Sequence, residues 1–475
     1  MPDDAPQVSH SSRFGTFAAL RIPEFRRFYI GQGVSLVGTW LQTAAVSWIV
    51  FDMTRSERIS GIVDACGLLP GLFVGLVAGA LADRVVPRTM VIAMQVGQML
   101  LSFLLGALVG LGVVQIWQMA LILALTRVCV TFEMPSRQVF QYDLVGRETL
   151  TNAIALNSGL FNASRVIGPA LAGLCLARFG ATACFVLNGI SYLAAIGALL
   201  TIHVARKPHH VEPGGLKAVM GGFAFLKGDR KAATLFRLMA AFGIAGMGYM
   251  ALVPAYAQRV VHTGPLGFSL LLAGGGLGAT AGALLVATLG SLKRKEVLVL
   301  GGITVFAAFL AAAGLLPTAA ARVWSPAASL LVASCCLFGA GFGAIVFFSA
   351  TQTLIQTTVP DHLRGRIMGI WMIAYSGSVP LGSLWAGELA NHYGVTLMIE
   401  ISAVICFGMV LYVLASGSLI HPADVTQMAR AAHGRILTTF ARGSAGTTGT
   451  GDQEETRLAK APEVIERSLT DHGAR

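Results

Sequence analysis

Long apolar runs separated by short polar loops make up most of this chain. Each run has about 20 to 26 residues, enough for a helix rising 1.5 Å per residue to cross a hydrocarbon core of about 30 Å. Because lipid offers no partner to an unpaired backbone amide or carbonyl, we predict that every run is a helix. We number the runs segments 1 to 12, at roughly 29–51, 59–82, 89–112, 117–136, 153–177, 182–203, 234–257, 266–290, 296–316, 327–350, 366–390 and 395–416.

Three polar stretches flank and divide the apolar segments. Residues 1–28 form a leader, residues 206–233 a linker, and residues 420–475 a tail whose composition predicts disorder. The linker separates two groups of six segments, at 29–205 and 234–419. We therefore predict two six-helix bundles joined by a linker outside the membrane.

An internal repeat relates the two groups of segments. Glycines of segments 5 and 11 coincide when the chain is shifted by 214 residues, and glycines of segments 2 and 8 coincide at a shift of 207. The matching positions are Gly168, Gly173 and Gly180 with Gly382, Gly387 and Gly394, and Gly67, Gly71 and Gly75 with Gly274, Gly278 and Gly282. Glycines four residues apart form a groove that lets another helix approach closely. The sequence thus predicts an all-α membrane protein of twelve transmembrane helices in two pseudo-symmetric bundles, an architecture found in transporters.

Composition supports a membrane protein and orients it. Hydrophobic residues fill 55% of the 475 positions and charged residues 12%, with a mean hydropathy of +0.70, which is too little charge to cover a soluble surface. The net charge of +11 does not indicate nucleic-acid binding, because the basic residues lie mainly in short loops and polar stretches outside the spans. Of the 34 lysines and arginines, 26 lie on the side of the N-terminus, 5 on the other side and 3 at or within spans. We therefore predict that both termini are cytoplasmic.

Motifs of enzymatic chemistry are missing from the sequence. It has no P-loop for ATP hydrolysis and no H-E-x-x-H or G-x-S-x-G pattern. The seven cysteines all lie inside apolar runs and lack the spacing of metal ligands. We therefore expect no enzymatic activity, no bound metal and no cofactor.

A polar signature occupies the loop between segments 2 and 3. It reads Gly79-Ala-Leu-Ala-Asp83-Arg84-Val-Val-Pro-Arg88. This stretch resembles the signature G-x-L-A-D-R-x-x-R-R of the major facilitator superfamily. The resemblance implies that Asp83 and Arg88 latch the two halves in one conformation, with Glu133 of segment 4 as a candidate third member. The alternative is that the arginines only set the topology.

Three charged residues lie away from the ends of apolar segments: Asp64 in segment 2, Arg127 in segment 4 and Arg165 in segment 5. A charge at the bilayer centre costs at least about 2.5 kcal/mol, so such residues indicate function. A carboxyl group in a cavity of low dielectric constant can bind and release a proton near neutral pH. We take Asp64 as the candidate proton site, ahead of Glu388 and Glu400, which lie near the outer ends of segments 11 and 12.

The two buried arginines are candidates for coupling or substrate binding. Arg127 resembles an arginine in the fourth helix of the superfamily's proton antiporters. Arg165 comes shortly before the glycine-proline pair of segment 5. The alternative for both is a structural role, with the guanidinium bonded to backbone carbonyls.

Segment 5 also carries a motif that bears on the direction of transport. Gly168, Pro169, Ala172 and Gly173 resemble the G-P-x-x-G-G motif of antiporters, with Ala172 in place of a glycine. A proline inside a helix removes a backbone hydrogen bond and kinks the helix, and small residues allow close packing. In the superfamily this motif marks exporters, so the resemblance implies export. An ordinary helix kink is the alternative.

A wider pattern narrows the resemblance to one branch. It consists of Phe25-Arg-Arg-Phe28, Pro135-x-Arg137-Gln138 and Asn152-Ala-x-Ala-Leu-Asn157. These motifs are similar to the enterobactin-exporter-like, or transmembrane secretion effector, branch over about residues 20–415. In the superfamily, segments 1, 4, 7 and 10 line the substrate cavity. That implies five candidate cavity residues, for which a lipid-facing or core position is the alternative: Trp40, Gln42, Tyr249, Phe347 and Gln352.

These features together predict a secondary active transporter of the bacterial inner membrane. We expect a proton-coupled exporter of a small organic molecule, such as a siderophore, drug or metabolite, that works by alternating access. Its expected partners are the substrate, protons and the lipid bilayer, without nucleic acid, and we expect a monomer. Two alternatives stay open: a proton symporter that imports a small metabolite, and a non-transporting membrane sensor or scaffold.

Overall fold

A computed structural model describes residues 15–82, 85–202, 226, 228–289, 294–320 and 325–419. These residues are almost entirely helical and contain no strand, which confirms the all-α class. Ten helices among them are long and apolar enough to cross a membrane. The α-helices are Pro23–Thr54, Glu57–Ala82, Pro87–Gly110, Ile116–Thr201, Arg230–Ala241, Val253–Arg259, Pro265–Thr288, Glu296–Ala320, Pro326–Thr358, Asp361–Tyr393 and Val395–Ser416. Met1–Tyr412 forms one compact unit, and Val413–Arg475 forms another.

Segments 4, 5 and 6 form one helical element, Ile116–Thr201, which is broken at two glycines. Gly146 has φ +68° and ψ −176°, and Gly180 has φ +76° and ψ 179°. Residues with a Cβ atom rarely adopt such angles, so both breaks favour glycine. Three predicted segments therefore share one element, and ten candidate spans are found where the sequence predicted twelve.

Proline marks the beginning of several helices. Pro23, Pro87, Pro265 and Pro326 all lie in the first turn of their helix. The fixed φ of proline suits this position, and its missing N–H would have no partner there. Pro87 begins the helix of segment 3, two residues before the start predicted from the sequence.

Segment 7 is helical but irregular in its middle. A π-turn, Phe242–Gly246, and a 3-10 turn, Met247–Leu252, interrupt the α-helix between Ala241 and Val253. The irregular part lies against segment 11, because a Cβ atom on Gly248 would lie 2.8 Å from that of Ala386. Close backbone contact with a neighbouring helix compensates for the broken hydrogen-bond ladder.

The 214-residue repeat reappears in the contacts of segments 5 and 11. Gly168 packs on the backbone of segment 1, where a Cβ atom would lie 2.9 Å from the Val37 carbonyl oxygen. Its counterpart Gly382 packs on segment 7, with a Cβ atom 2.5 Å from the Gly243 carbonyl oxygen. Equivalent glycines therefore contact the first segment of each half, as expected if the two halves repeat one arrangement.

The predicted glycine groove is tight in one half and looser in the other. In segment 8, a Cβ atom on Gly274 would lie 2.8 Å from the Ser334 carbonyl oxygen, and one on Gly278 would collide with the Phe338 carbonyl. In segment 2, the equivalent Gly71 leaves an ordinary 3.4 Å to Thr131 Oγ1 of segment 4. The repeat thus conserves which segments pair, while the closest approach belongs to the C-terminal half.

The end of the predicted leader is packed onto the helices. A 3-10 helix, Gly15–Arg21, precedes the first α-helix, which begins at Pro23, inside the range predicted for the leader. The Ala19 amide donates to Asn152 Oδ1 at 2.9 Å, and Ala19 and Phe28 are buried beside Phe140. The aromatic positions near the leader's end therefore form core.

Candidate functional site

Asp64 joins the two halves of the chain through a hydrogen bond. The Ser383 hydroxyl of segment 11 donates to Asp64 Oδ2 at 2.6 Å, and Ser383 is buried. Asp64 also interacts electrostatically with Arg127 of segment 4. The side chain of Asp64, in the N-terminal half, is therefore hydrogen-bonded directly to a side chain of the C-terminal half.

Two glycines let segments 2 and 11 approach closely beside this bond. A Cβ atom on Gly61 would collide with the Ser383 carbonyl, and one on Gly387 would lie 2.8 Å from the Glu57 carbonyl oxygen. A side chain at either position would be too close to the facing backbone, so this approach of the two helices requires glycine. Gly387 was predicted only as a repeat position, and its contact shows why that position is glycine.

Ion pairs across the two halves surround this contact at one end of the molecule. Arg259 Nη1 lies 2.9 Å from Glu57 Oε1, and Arg58 Nε lies 3.0 Å from Glu388 Oε2. Glu57 is only 2% exposed, whereas the other three residues are largely exposed. We call this region, defined by Glu57, Arg58, Arg259, Glu388 and the adjacent Gly61–Gly387 contact, the closed end. It is opposite the end where the described chain begins.

The motif of segment 5 packs between segment 1 and segment 8. Gly168 lies against segment 1, and a Cβ atom on Gly173 would lie 2.5 Å from that of Ser269 in segment 8. Pro169 and Ala172 are buried between these contacts. The small residues of the motif therefore permit the close contact between halves that the sequence predicted.

Contacts between the halves thin out away from the closed end. A Cβ atom on Gly377 would still meet the Leu72 side chain at 3.6 Å. Further along, Cβ atoms on Gly75, Gly159 and Gly369 would meet no described atom within 4 Å. Among the described residues, the close contact between segments 2 and 11 is thus centred on the Asp64–Ser383 bond, and the glycines further along border open space.

Arg127 and Arg165 both lie in this interior region. The Arg127 stem packs beside Gly71, whose Cβ atom would lie 3.5 Å from Arg127 Cγ. Arg165 Cζ lies 5.9 Å from the centre of the Trp40 ring, within the range of a cation–π contact. Neither guanidinium forms an ion pair or hydrogen bond within the part of the chain that the structure describes.

Aromatic side chains from both halves surround the two arginines. Trp40 packs edge-on against Phe161 with ring centres 5.7 Å apart. Tyr375 of segment 11 interacts electrostatically with both arginines, and Tyr249 of segment 7 with Arg165. Tyr375 was not predicted from the sequence, because a tyrosine in an apolar run gives no signal until its helix face is known.

Four of the five predicted cavity residues have a described environment, and it differs among them. Trp40 and Tyr249 belong to the cluster around Arg165. Gln42 accepts hydrogen bonds from Asn188 Nδ2 at 2.8 Å and Ser102 Oγ at 2.5 Å, and Phe347 is fully buried beside Phe242. Both lie inside the core of their own half, so we leave them out of the proposed site. Gln352 is half-buried and forms no described contact that links it to the arginines.

The predicted gating residues are only partly described. Gly79 lies at the end of a helix, and Asp83 and Arg84 lie outside the described residues. Arg88 donates to the carbonyl oxygens of Leu199 and Leu200 at 2.8 and 2.9 Å, which caps the end of segment 6. The Asp83–Arg88 latch therefore stays a prediction.

Glu133 lies in a separate polar network inside the N-terminal half. Gln95 Nε2 and Gln98 Nε2 of segment 3 donate to its carboxylate at 3.1 and 2.7 Å. Arg137 Nη1 lies 3.5 Å from Glu133 Oε1, one helical turn away. These contacts satisfy the buried carboxylate within one half, and they do not connect it to Asp64.

Comparisons with known proteins show that this chain is similar to membrane transporters. The family model described as transmembrane secretion effector matches residues 14–434. Macrolide efflux protein A of Streptococcus pyogenes is 22% identical over 82% of this chain and 95% of its own length. The staphyloferrin A transporter of Staphylococcus aureus is 24% identical over 81% and 94%.

A solved structure shows the same fold. A bacterial homologue of the human lysosomal transporter Spinster, in an inward-facing and unoccupied conformation, aligns with a TM-score of 0.65. The alignment covers 86% of this chain and 98% of the homologue at 14% sequence identity. Similarity at this level of identity concerns the fold alone.

Proposed function

The chain belongs to the transmembrane secretion effector family of the major facilitator superfamily, and from that premise we propose that it is a secondary active exporter of small organic molecules in the inner membrane of a bacterium. The family makes it a multi-pass membrane transporter and not an enzyme. The name of one relative, a macrolide efflux protein, supports export as the direction, and that of another, a staphyloferrin A transporter, supports transport of a small molecule. The segment 5 motif supports the same direction.

The proposed architecture is twelve transmembrane helices in two six-helix bundles, with both termini in the cytoplasm. The repeated contacts of Gly168 and Gly382 support two equivalent halves. With this topology the closed end faces outward, and the looser end faces the cytoplasm. On this proposal the structure is assigned to an inward-open state, in which substrate would be taken up from the cell. Alternating access would open the closed end and close the other.

Proton coupling is proposed at Asp64, and the Ser383–Asp64 hydrogen bond is the observation that carries it. A carboxylate accepts a hydrogen bond more strongly than a neutral carboxylic acid does. A proton that reaches Asp64 from outside would weaken both the bond to Ser383 and the attraction to Arg127. Since Ser383 belongs to the other half, this single protonation changes how strongly the halves hold together. Proton entry would thus be linked to the change of state that exchanges substrate.

An accumulation assay in cells tests the proposed direction. Cells expressing the full chain are loaded with a panel of fluorescent compounds, including fluorescein, rhodamine 123 and ethidium. An exporter lowers the steady-state accumulation of its substrates, and an uncoupler abolishes the difference from control cells. An importer would raise accumulation instead. A chain truncated after residue 419 should keep its flux, whereas a scaffold that acts through its tail would lose its function.

A further inference from the structure

Around Asp64 the described residues carry more positive than negative charge, because Arg127, which is exposed in the described structure, and the half-buried Arg165 both lie there. Arg127 and Arg165 lie there without an ion-pair partner among the described residues, and Asp64 is the acid that interacts with Arg127. The two buried acids already have partners among the described residues: Arg259 pairs with Glu57, and Gln95, Gln98 and Arg137 hold Glu133. Two guanidinium groups thus face one available carboxylate, which leaves an excess of one positive charge.

An uncompensated guanidinium is expensive in this setting. A charge inside a membrane domain is stabilised by a partner of opposite sign, by water or by backbone carbonyls. Among the described residues Arg165 has the face of the Trp40 ring, at 5.9 Å, and a cation–π contact is weaker than a charge-assisted hydrogen bond. A planar guanidinium with five donors is well suited to bind an acidic group in a bidentate manner.

The position of Arg165 also fits contact with a transported molecule. Its backbone carbonyl lies against segment 8, where a Cβ atom on Gly276 would lie 3.1 Å away, so Arg165 is at the boundary of the halves. Arg165 itself is half-buried, so part of its side chain remains accessible. Tyr375 from the other half interacts with both arginines and packs against Phe348 at 5.1 Å between ring centres. Charged groups, hydroxyl groups and aromatic rings from both halves therefore lie close together around Arg165.

We propose that the transported molecule is an organic anion: its acidic group binds Arg165, with Arg127 as a second cation, and its flat apolar part packs on Trp40, Phe161 and Tyr375. This inference rests on the proposed export function and names the chemical class that the site selects. With Asp64 ionised, one negative charge of the substrate makes the site neutral. An inside-negative membrane potential also favours outward movement of an anion. A cationic compound would meet two like charges in the same region.

Ligand-induced stabilisation of the purified full-length protein tests this assignment. The panel contains matched pairs: fluorescein against rhodamine 123, which share a xanthene ring, and aromatic carboxylic acids against their amides. A ligand that binds the folded protein raises its melting temperature with concentration. We expect stabilisation by anionic members only. Stabilisation by cationic or neutral members alone, or by no anion of the panel, would overturn the proposal.

Variants of Arg165 locate the binding group. R165Q should weaken anion binding roughly tenfold or more, because it removes a charge-assisted contact. R165K should retain part of the affinity, since it keeps the charge and loses the bidentate geometry. R178Q is the matched control: Arg178 follows directly after the same segment and is exposed, so this variant should bind the anion like the unmodified chain. Unchanged anion affinity in R165Q, or an equal loss in R178Q, would contradict the assignment.

Efflux measurements separate this proposal from the export function on which it rests. Vesicles containing the protein are loaded with the same panel and energised by a pH gradient. Active export of cationic or neutral members without any anion would leave the exporter standing and overturn the anion site. Anion binding that depends on Arg165, without efflux of any bound compound, would support the anion site and overturn the proposed export function.

Discussion

An aspartate in the apolar part of segment 2 has to compensate for the cost of a charge in a membrane, about 2.5 to 3.5 kcal/mol at the bilayer centre. Asp64 does so through the Ser383 hydroxyl, at 2.6 Å, and the nearby Arg127. Both interactions are stronger with the ionised carboxylate than with the neutral acid. At the scale of one residue, Asp64 is therefore where a proton would have the largest effect on the contact between halves.

Replacing Asp64 with asparagine tests its proposed role. Asparagine can still accept a hydrogen bond from Ser383 but cannot bind and release a proton. We expect D64N to lose at least about tenfold in efflux driven by a pH gradient, while exchange of labelled for unlabelled substrate without a gradient is retained. The control is E148Q, because Glu148 is exposed and lies outside the predicted apolar segments and the closed end. Full gradient-driven efflux in D64N would remove Asp64 from the coupling mechanism.

The sequence allowed Asp64, Arg127 and Arg165 to be singled out, because charges in apolar runs stand out without any structure. It did not allow their partners to be found. Ser383 is 319 residues from Asp64 and looks like any small residue in segment 11. Gln42 was predicted for the cavity but bonds with Asn188 and Ser102. A polar residue in a span shows which helix carries it, but not which face points inward.

Glycine determines how the helices approach one another. The segment 8 groove places Gly278 against the Phe338 carbonyl, whereas the equivalent Gly71 of segment 2 has ordinary contacts. Membrane helices associate through van der Waals packing, so small residues at the closest approach contribute directly to stability. The repeat predicted both grooves, but the difference between them depends on the side chains of segments 4 and 10.

A pair of alanine substitutions tests this difference at the scale of the element. G278A should lower stability by about 1 to 3 kcal/mol, because overpacking forces segments 8 and 10 apart. The matched variant in the other half is G71A. Its effect on stability should be clearly smaller, because the new Cβ atom would lie 3.4 Å from the nearest side chain, at an ordinary contact distance. The melting temperatures of the purified variants provide the comparison. Equal melting temperatures of G278A and G71A would contradict the closer packing of segment 8.

Segment 7 shows what a periodicity argument leaves out. Its residues are apolar and of the right number for a span, so the sequence predicted a regular helix. The structure contains a π-turn and a 3-10 turn at Phe242–Leu252, next to segment 11. The glycines in this part of segment 7 did not predict the irregular turns, because glycines also occur in regular helices that pack closely together. The irregular backbone follows from the contact with segment 11, which one sequence does not reveal.

The molecule as a whole is held together most closely at the closed end. There the Glu57–Arg259 and Arg58–Glu388 pairs connect the halves around the close approach of Gly61 and Gly387. Exposed ion pairs contribute only about 0 to 1 kcal/mol each, so this end can open within a transport cycle. The pair of Glu57 differs, because Glu57 is buried and separation from Arg259 would leave its carboxylate without that partner until water enters.

A reversible cross-link tests whether the closed end must open. The Ser56 hydroxyl donates to Asn391 Oδ1 at 3.4 Å, so S56C and N391C place two thiols near each other at this end. Oxidation of the double variant should abolish efflux, and a reductant should restore it. The single variants S56C and N391C should be insensitive to both treatments. Undiminished efflux by a fully cross-linked protein would show that transport does not require this end to separate.

Coupled export against proton entry is the central claim about the whole molecule, and simultaneous measurement of both fluxes tests it most directly. The protein is reconstituted into vesicles with a trapped pH indicator, and an outward gradient is imposed for the compound that stabilises it most. We predict that protons move inward as the compound moves outward, and that D64N abolishes the proton signal. Protons that move outward with the compound, or no substrate-dependent proton movement, would contradict coupled export.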